Sequence, residues 1–295
     1  MQLKRSLAVA TAAALFVACG DDAAESGSTT EPVAADDAPQ SIVSLSPTTT
    51  EMLFAIGAGD QVVAVDEQSD FPEDVPVTDL SGYEPNVEAI ASYEPDLVVA
   101  SGLPEDAADG LDALDIEVLD VPAAVTLDDT YAQLAELGAA TGHEDEAADV
   151  EESMRSDIDE LVASVPERDA PVTYYHELDD TLYSATSSTF IGEVYGLAGL
   201  ENVADAADPD GALGGYPQLS PEFLVDADPD VVFLADTECC GQDATTFAAR
   251  PGFAELTAVS EGRIVELDED VASRWGPRVV DFLRAIVDAT ADVTA

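Results

Sequence analysis

Arginine, tryptophan and tyrosine are the side chains here that suit a large, flat, oxygen-rich ligand. Arg274 and Trp275 are adjacent, and Arg278 and Arg284 follow within a short window of a chain with only 9 Lys and Arg among 295 residues. A guanidinium presents a planar fork of donors that matches carboxylate, phosphate or catecholate oxygens. Trp275, the only tryptophan, together with Tyr83 and Tyr216, offers flat apolar contact to a ring. Each has a plainer reading beside it: Trp275 as a core anchor, the two tyrosines as loop packing, Arg278 and Arg284 as partners of acidic neighbours on a helix. The expected ligand-binding set is Tyr83, Tyr216, Arg274 and Trp275.

Other chemistry finds little support. The chain has two histidines, His143 and His176, too few for a bare transition-metal site, which wants several His or Cys ligands. His143 sits at a helix break beside Glu144 and Asp145 and reads as a surface residue. His176, beside Tyr174, Tyr175 and Glu177, reads as a half-buried strand residue with one hydrogen bond, or as an axial ligand to haem iron or cobalt. No Gly-x-Ser-x-Gly and no Gly-rich phosphate loop with Lys is present. Ser46, His176 and an aspartate would make a triad on paper, but with 63 acidic residues the choice of acid carries no information. The chain is expected not to be an enzyme. Neither an intrinsic cofactor nor a metal is expected, and a hydrolase is the weakest alternative.

Three cysteines remain. Cys239 and Cys240 are adjacent, so their Cα atoms lie about 3.8 Å apart, closer than a relaxed disulfide prefers. A strained bond in an exported protein and two separate thiols both stay open. Cys19 belongs to the amino terminus. There Lys4 and Arg5 precede an apolar run too short to span a membrane, and Leu15-Phe16-Val17-Ala18-Cys19 resembles the processing box of bacterial lipoproteins. Residues 1–19 are expected to be a lipoprotein signal peptide with lipid attachment at Cys19, and residues 20–40 a flexible acidic tether.

The elements that must position the ligand residues come in two similar halves. Asn86-Val87-Glu88, Pro95-Asp96 and Leu97-Val98-Val99 recur as Ser220-Pro221-Glu222, Pro229-Asp230 and Val231-Val232-Phe233. Each copy predicts a short capped helix, a Pro-Asp turn and a buried strand without polar alternation. Further strands are expected at 42–45, 61–65, 76–78, 117–121 and 263–267, and a strand pair at 172–178 and 181–185 joined through Asp179-Asp180. Helical periodicity holds from Leu127 to Thr141-Gly142. A second helix then opens at Glu144 and keeps Val150, Met154, Ile158, Leu161 and Val165 on one face until Pro166. Strand-turn-helix order implies parallel βα units. The fold class is therefore α/β: two Rossmann-like lobes, 41–142 and 167–295, joined by one long helix at 143–166, with a cleft between the lobes.

The net charge of -54 makes nucleic acid an unsuitable partner, because phosphate would be repelled. Acidic residues are spread along the chain, which suits a solvated surface in high salt.

In their order over the whole stretch from about position 41, Ile42-Val-Ser-Leu-Ser-Pro47, Thr50-Glu51, Gly57, Ser69-Asp-Phe-Pro72, Asn86-Val-Glu88, Pro95-Asp96 and Tyr216-Pro-Gln-Leu-Ser220 resemble the periplasmic binding proteins whose lobes are joined by one long helix, the receptors for ferric siderophores, haem and vitamin B12. Ser69 to Pro72 and Tyr216 to Ser220 look most like the vitamin B12 branch. The resemblance implies a monomeric, extracytoplasmic, lipid-anchored protein that hands a cobalt or iron chelate to an ABC importer. Glu88 and Glu222 stand where that family places the glutamates that meet basic residues of the permease. A surface sensing or adhesion lipoprotein without a transporter is the alternative.

Overall fold

Short apolar runs become the central strands, because a parallel strand covered on both faces has no polar side to show. The computed structural model describes residues 38–293. Its first lobe contains β1 (Ile42–Ser44), α1 (Pro47–Ala55), β2 (Val62–Asp66), β3 (Val77–Leu80), α2 (Val87–Ala91), β4 (Leu97–Ala100), α3 (Glu105–Asp112) and β5 (Glu117–Asp120). The five strands run in the order β3-β2-β1-β4-β5, every pair parallel.

Two helices follow, α4 (Leu127–Thr141) and α5 (Glu144–Ser164). A capping box between Thr126 and Asp129 starts α4, and Gly142, at φ 77°, ends it. Glu144, Asp145 and Glu146 face the positive end of α5. Ala147, Met154, Ile158 and Leu161 form its buried stripe. At 21 residues α5 is roughly 31 Å long.

The second lobe contains β6 (Val172–Glu177), α6 (Phe190–Leu197), β7 (Leu200–Asn202), α7 (Pro221–Ala227), β8 (Val231–Leu234), α8 (Ala244–Ala248), α9 (Thr257–Ser260), β9 (Ile264–Glu266), α10 (Glu269–Ser273) and α11 (Val279–Thr290). Its sheet has the order β7-β6-β8-β9, again all parallel. The two α/β lobes joined by a long helix are thus present. Among the described residues no helix is long and apolar enough to cross a membrane.

The internal repeat has a structural reason. In the first lobe the Asp96 carboxylate accepts from the Ser41 backbone N–H and hydroxyl, and the Asp96 N–H donates to the Ser41 hydroxyl. In the second lobe Asp230 makes the same three bonds with Thr173. Each Pro-Asp turn therefore pins the start of one parallel strand to its neighbour, β4 to β1 and β8 to β6.

One expectation is overturned. Residues 181–185 form no strand pair with 172–178; the Tyr183 carbonyl accepts one hydrogen bond from the Leu178 N–H, and Tyr183 makes an isolated antiparallel bridge to Gln218. The reason is that β6 has no free edge, since β7 and β8 occupy its two sides. The Asp179 carboxylate instead accepts from the Thr181 N–H and hydroxyl and closes a turn.

The core respects the pleat. Ile42 and Val99 join a large apolar cluster that runs without a break through Leu134 of α4, Met154 and Ile158 of α5, Tyr174 and Phe233 of the second sheet, and Phe282 of α11. Their strand neighbours Val43 and Val98, and likewise Tyr175 and Val232, point to separate clusters on the outer faces. The inner faces of both lobes thus share one core with α4 and α5, which holds the lobes as one body.

Candidate ligand cleft

In open α/β sheets, ligands bind beyond the carboxyl ends of the strands, at the point where strand order reverses. In the first lobe that point lies between β1 and β4, and Leu45, Ser46 and Ser101, which follow these strands, line a cavity of ≈ 420 Å³. The volume falls within the usual range for a small-molecule site. Asp66, Gly82 and Tyr83 from the first lobe complete one wall; Glu269, Asp270, Arg274 and Trp275 from the second form the other.

Local sequence explains each placement. Pro47 opens α1, while Ser44, Thr49, Thr50 and Ser69 form a buried chain of hydroxyl hydrogen bonds that fixes the helix to β1 and to the 67–70 loop. Asp66 ends β2, accepts from the Gln68 N–H and the Ser69 hydroxyl, and burial raises its pKa. Gly82 is required: a Cβ there would lie 2.3 Å from the Leu45 carbonyl oxygen. That close approach carries Tyr83, 85% exposed, to the rim. Trp275 is both wall and anchor, because its indole N–H donates to Gln133 Oε1 at 3.0 Å and its carbonyl accepts from the Thr130 hydroxyl of α4.

Arg274 lines the cleft, yet its fork faces protein. Nη1 donates to Glu51 at 2.8 Å and to Asp70 at 3.0 Å, and Nη2 donates to the Gln68 carbonyl and pairs with Asp270 at 2.5 Å. Arg278 doubles the grip on Glu51, at 2.9 Å and 2.6 Å, and lies over the Phe71 ring. Glu51 and Asp70 belong to the first lobe and both arginines to the second, so this is an ionic clamp across the lobes. Burial, opposed by Arg274, pushes Asp270 up to about 6. Asp70 is also raised by burial, but its bond to Arg274 outweighs that and holds it below the carboxylate range.

Tyr83, Arg274 and Trp275 are therefore brought to one cavity. Tyr216, on a loop and 45% exposed, is not among the residues that line it. Arg284 is exposed on α11, 4.0 Å from Asp281. His143 precedes α5 with its ring beside the Thr141 carbonyl. His176 is fully buried, its Nδ1 2.8 Å from the Tyr195 hydroxyl, and burial pushes its pKa down to about 3; it is not among the residues that line the cleft. Cys239 and Cys240 stand as free thiols, the second of the two readings left open. A bond between adjacent residues would have to strain a loop whose N–H groups at 238 and 239 are already held by Glu269. Cys19 lies outside the described residues. Among the described residues no group of three or more His, Cys, Asp or Glu is placed to hold a metal ion.

Glu88 and Glu222 are each exposed at the second position of a short helix, after Asn86 and Ser220, whose side chains accept from the N–H three residues on. Sequence reasoning gave Glu51, Asp66, Glu269 and Asp270 no role. Arginine scarcity was the available signal, since each buried guanidinium must find carboxylates somewhere.

Residues 42–271 match the family model described as periplasmic binding protein. The chain is 29% identical to an uncharacterized ABC transporter substrate-binding lipoprotein, YvrC, of Bacillus subtilis, covering 96% of this chain and 95% of the relative. It is 30% identical to a protein of Halobacterium salinarum named as cobalamin-binding, over 94% of this chain and 76% of the relative. Among solved structures, the periplasmic vitamin B12 binding protein BtuF of Vibrio cholerae superposes with a TM-score of 0.69 at 25% identity, covering 85% of this chain and 96% of that one.

Proposed function

Because this chain belongs to the periplasmic binding protein family, we propose that it captures a corrinoid outside the cytoplasmic membrane and delivers it to an ABC importer. It is a binding protein in this reading, and neither a hydrolase nor a free-standing sensor. The observation that carries the ligand class is that the cleft has no cation to spare. Arg274 is its only basic lining residue, and Glu51, Asp70, Asp270 and the Gln68 carbonyl occupy both of its Nη atoms. What faces the cavity is carboxylate, at Asp66, Glu269 and Asp270, and hydroxyl, at Ser46, Thr48, Ser101, Ser273 and Tyr83.

A chelate fringed with ionised groups would meet unbalanced like charge there; two such charges 5 Å apart at an effective dielectric of 20 repel by about 3 kcal/mol. Haem propionates and ferric catecholates carry such groups. A corrin ring is fringed with neutral amides, whose N–H groups can donate to these carboxylates and whose carbonyls can accept from the hydroxyls and from the amino-terminal N–H groups of α1. Trp275 and Tyr83 supply flat contact to the macrocycle. The relatives named for cobalamin and vitamin B12 support the same choice.

Glu88 and Glu222 are the proposed contacts with the permease, one on each lobe, and Cys19 the proposed lipid anchor. Trp275 gives a single-site fluorescence reporter. Cyanocobalamin should quench it saturably, while haem and a ferric catecholate should neither quench saturably nor compete; a ferric hydroxamate without ionised fringe groups tests whether charge alone decides. Tight binding of haem or of the catecholate in place of cyanocobalamin would overturn the reading.

A further inference from the structure

The strand-order reversal of the second lobe, between β6 and β8, holds buried acid where a ligand site would lie. Glu177 ends β6 and is fully buried, and its carboxylate accepts three hydrogen bonds, leaving one acceptor site: Arg250 donates through both Nη atoms at 2.7 Å and 2.6 Å, and the Tyr175 hydroxyl donates at 3.1 Å. Asp236, two residues beyond β8, is also fully buried, and neither of its carboxylate oxygens has a hydrogen-bond partner. The backbone sets it beside Glu177, whose carbonyl accepts from the Ala235 N–H at 2.9 Å. Arg250 neutralises one carboxylate of the two. Two acceptors facing each other in a buried site leave the second charge uncompensated unless one carries a hydrogen.

We propose that Asp236 and Glu177 share one proton, and that this proton closes the 236–243 loop onto the second lobe. The charged and titratable groups facing Asp236 are Glu177 and Tyr175 on β6 and Arg250 beyond α8. Burial first, then the Glu177 charge, push Asp236 up to about 7, with Arg250 pulling the other way. Glu269 holds the 238 and 239 N–H groups and the Leu267 carbonyl holds the Thr237 hydroxyl, while the Gln242 N–H donates to the Asp236 carbonyl and Arg250 to the Gln242 side chain, so Arg250 is an anchor common to the carboxylate pair and the loop. Cys239 of the same loop lines a second cavity, of ≈ 270 Å³, together with Glu67, Gln68 and Asp70 of the first lobe. Release of the proton therefore reaches the seam between the lobes, beside the cleft.

The sign follows from linkage. The folded protein holds a proton that an ordinary unfolded aspartate has already lost, so the loop is held most tightly at acid pH and loosens progressively as pH rises to about 7, beyond which its hold is constant. The experiment is amide hydrogen exchange of the 237–243 loop between pH 5.5 and 9, wild type against Asp236→Asn, whose ratio cancels the intrinsic pH dependence of exchange. Protection in the wild type should fall by up to tenfold per unit between pH 5.5 and about 7 relative to the variant and level off above that, and selectively labelled wild-type aspartate should show a carboxyl titrating near neutral that the variant lacks. Equal pH profiles would overturn the proposal. So would loss of that carboxyl resonance shift in the wild type together with calcium-dependent, chelator-sensitive protection, which would put a cation where the proton is placed. Should the variant not fold, the wild-type carboxyl titration decides alone: an Asp236 carboxyl ionised at pH 5 removes the shared proton.

Discussion

Replacing Glu51 by glutamine tests the ionic clamp that sets the two walls of the cleft. Glu51 is 3% exposed and accepts from Arg274 Nη1 and from Arg278 Nε and Nη2. Arg274 would keep Asp70 and Asp270, whereas Glu51 is the one carboxylate within ion-pair distance of Arg278 among the described residues. Removing one member of a buried pair costs about 3–5 kcal/mol, because the remaining charge stays desolvated. The Arg278 side chain is 16% exposed and retains the Phe71 ring beneath it, which places the cost near the lower end, about 3 kcal/mol. At about 2–4 °C per kcal/mol for a chain of this size, Tm should fall by roughly 6–12 °C. Asp70→Asn removes a carboxylate from the same guanidinium at a side chain 64% exposed, and should cost under about 1 kcal/mol. Thermal unfolding followed by circular dichroism at 0.1 M and 1 M KCl is the assay, and the Glu51→Gln deficit should persist in high salt because buried pairs are poorly screened. A loss within about 2 °C, or an Asp70→Asn loss as large as that of Glu51→Gln, would refute the reasoning.

Charge reversal of Glu88 and Glu222 to arginine together should abolish corrinoid uptake in cells and leave cyanocobalamin affinity of the purified protein unchanged; intact uptake removes both residues from the docking surface. Cys19→Ser should move the protein from the membrane to the soluble fraction, and unaltered fractionation rules out lipid attachment there. For His176, whose folded pKa is pushed down to about 3 by burial, the unfolded chain takes up the proton first as pH falls below about 6.5. Its contribution to stability therefore falls by about 1.4 kcal/mol per pH unit on that side. His176→Phe should flatten the acid limb of a denaturant-midpoint profile by one proton, while costing about 1–3 kcal/mol at neutral pH through the unpartnered Tyr195 hydroxyl. An unchanged acid limb would show that His176 is not the group responsible.

Whatever depends on neighbours along the chain can be read without a fold. Unalternated runs such as Leu97 to Ala100 and Val231 to Leu234 had to be buried parallel strands, and the stripe of Val150, Met154, Ile158 and Leu161 had to be one long helix. The matched Pro-Asp turns reported two lobes before any pairing was known, because the pinning bond each makes is the same local device. Which side chains meet depends instead on long-range packing. Thr181 to Ala185 carries a strand-like pattern, but whether a strand forms depends on a free sheet edge, and β7 and β8 leave β6 none. Arg274 and Glu51 stand 223 residues apart, so nothing in their local sequence says that the fork closes on protein and not on ligand. Asp236 is one aspartate among 63 acidic residues until the fold buries it against Glu177. In a chain this acidic, a carboxylate is uninformative by type and becomes chemically distinct only through burial and the charges beside it.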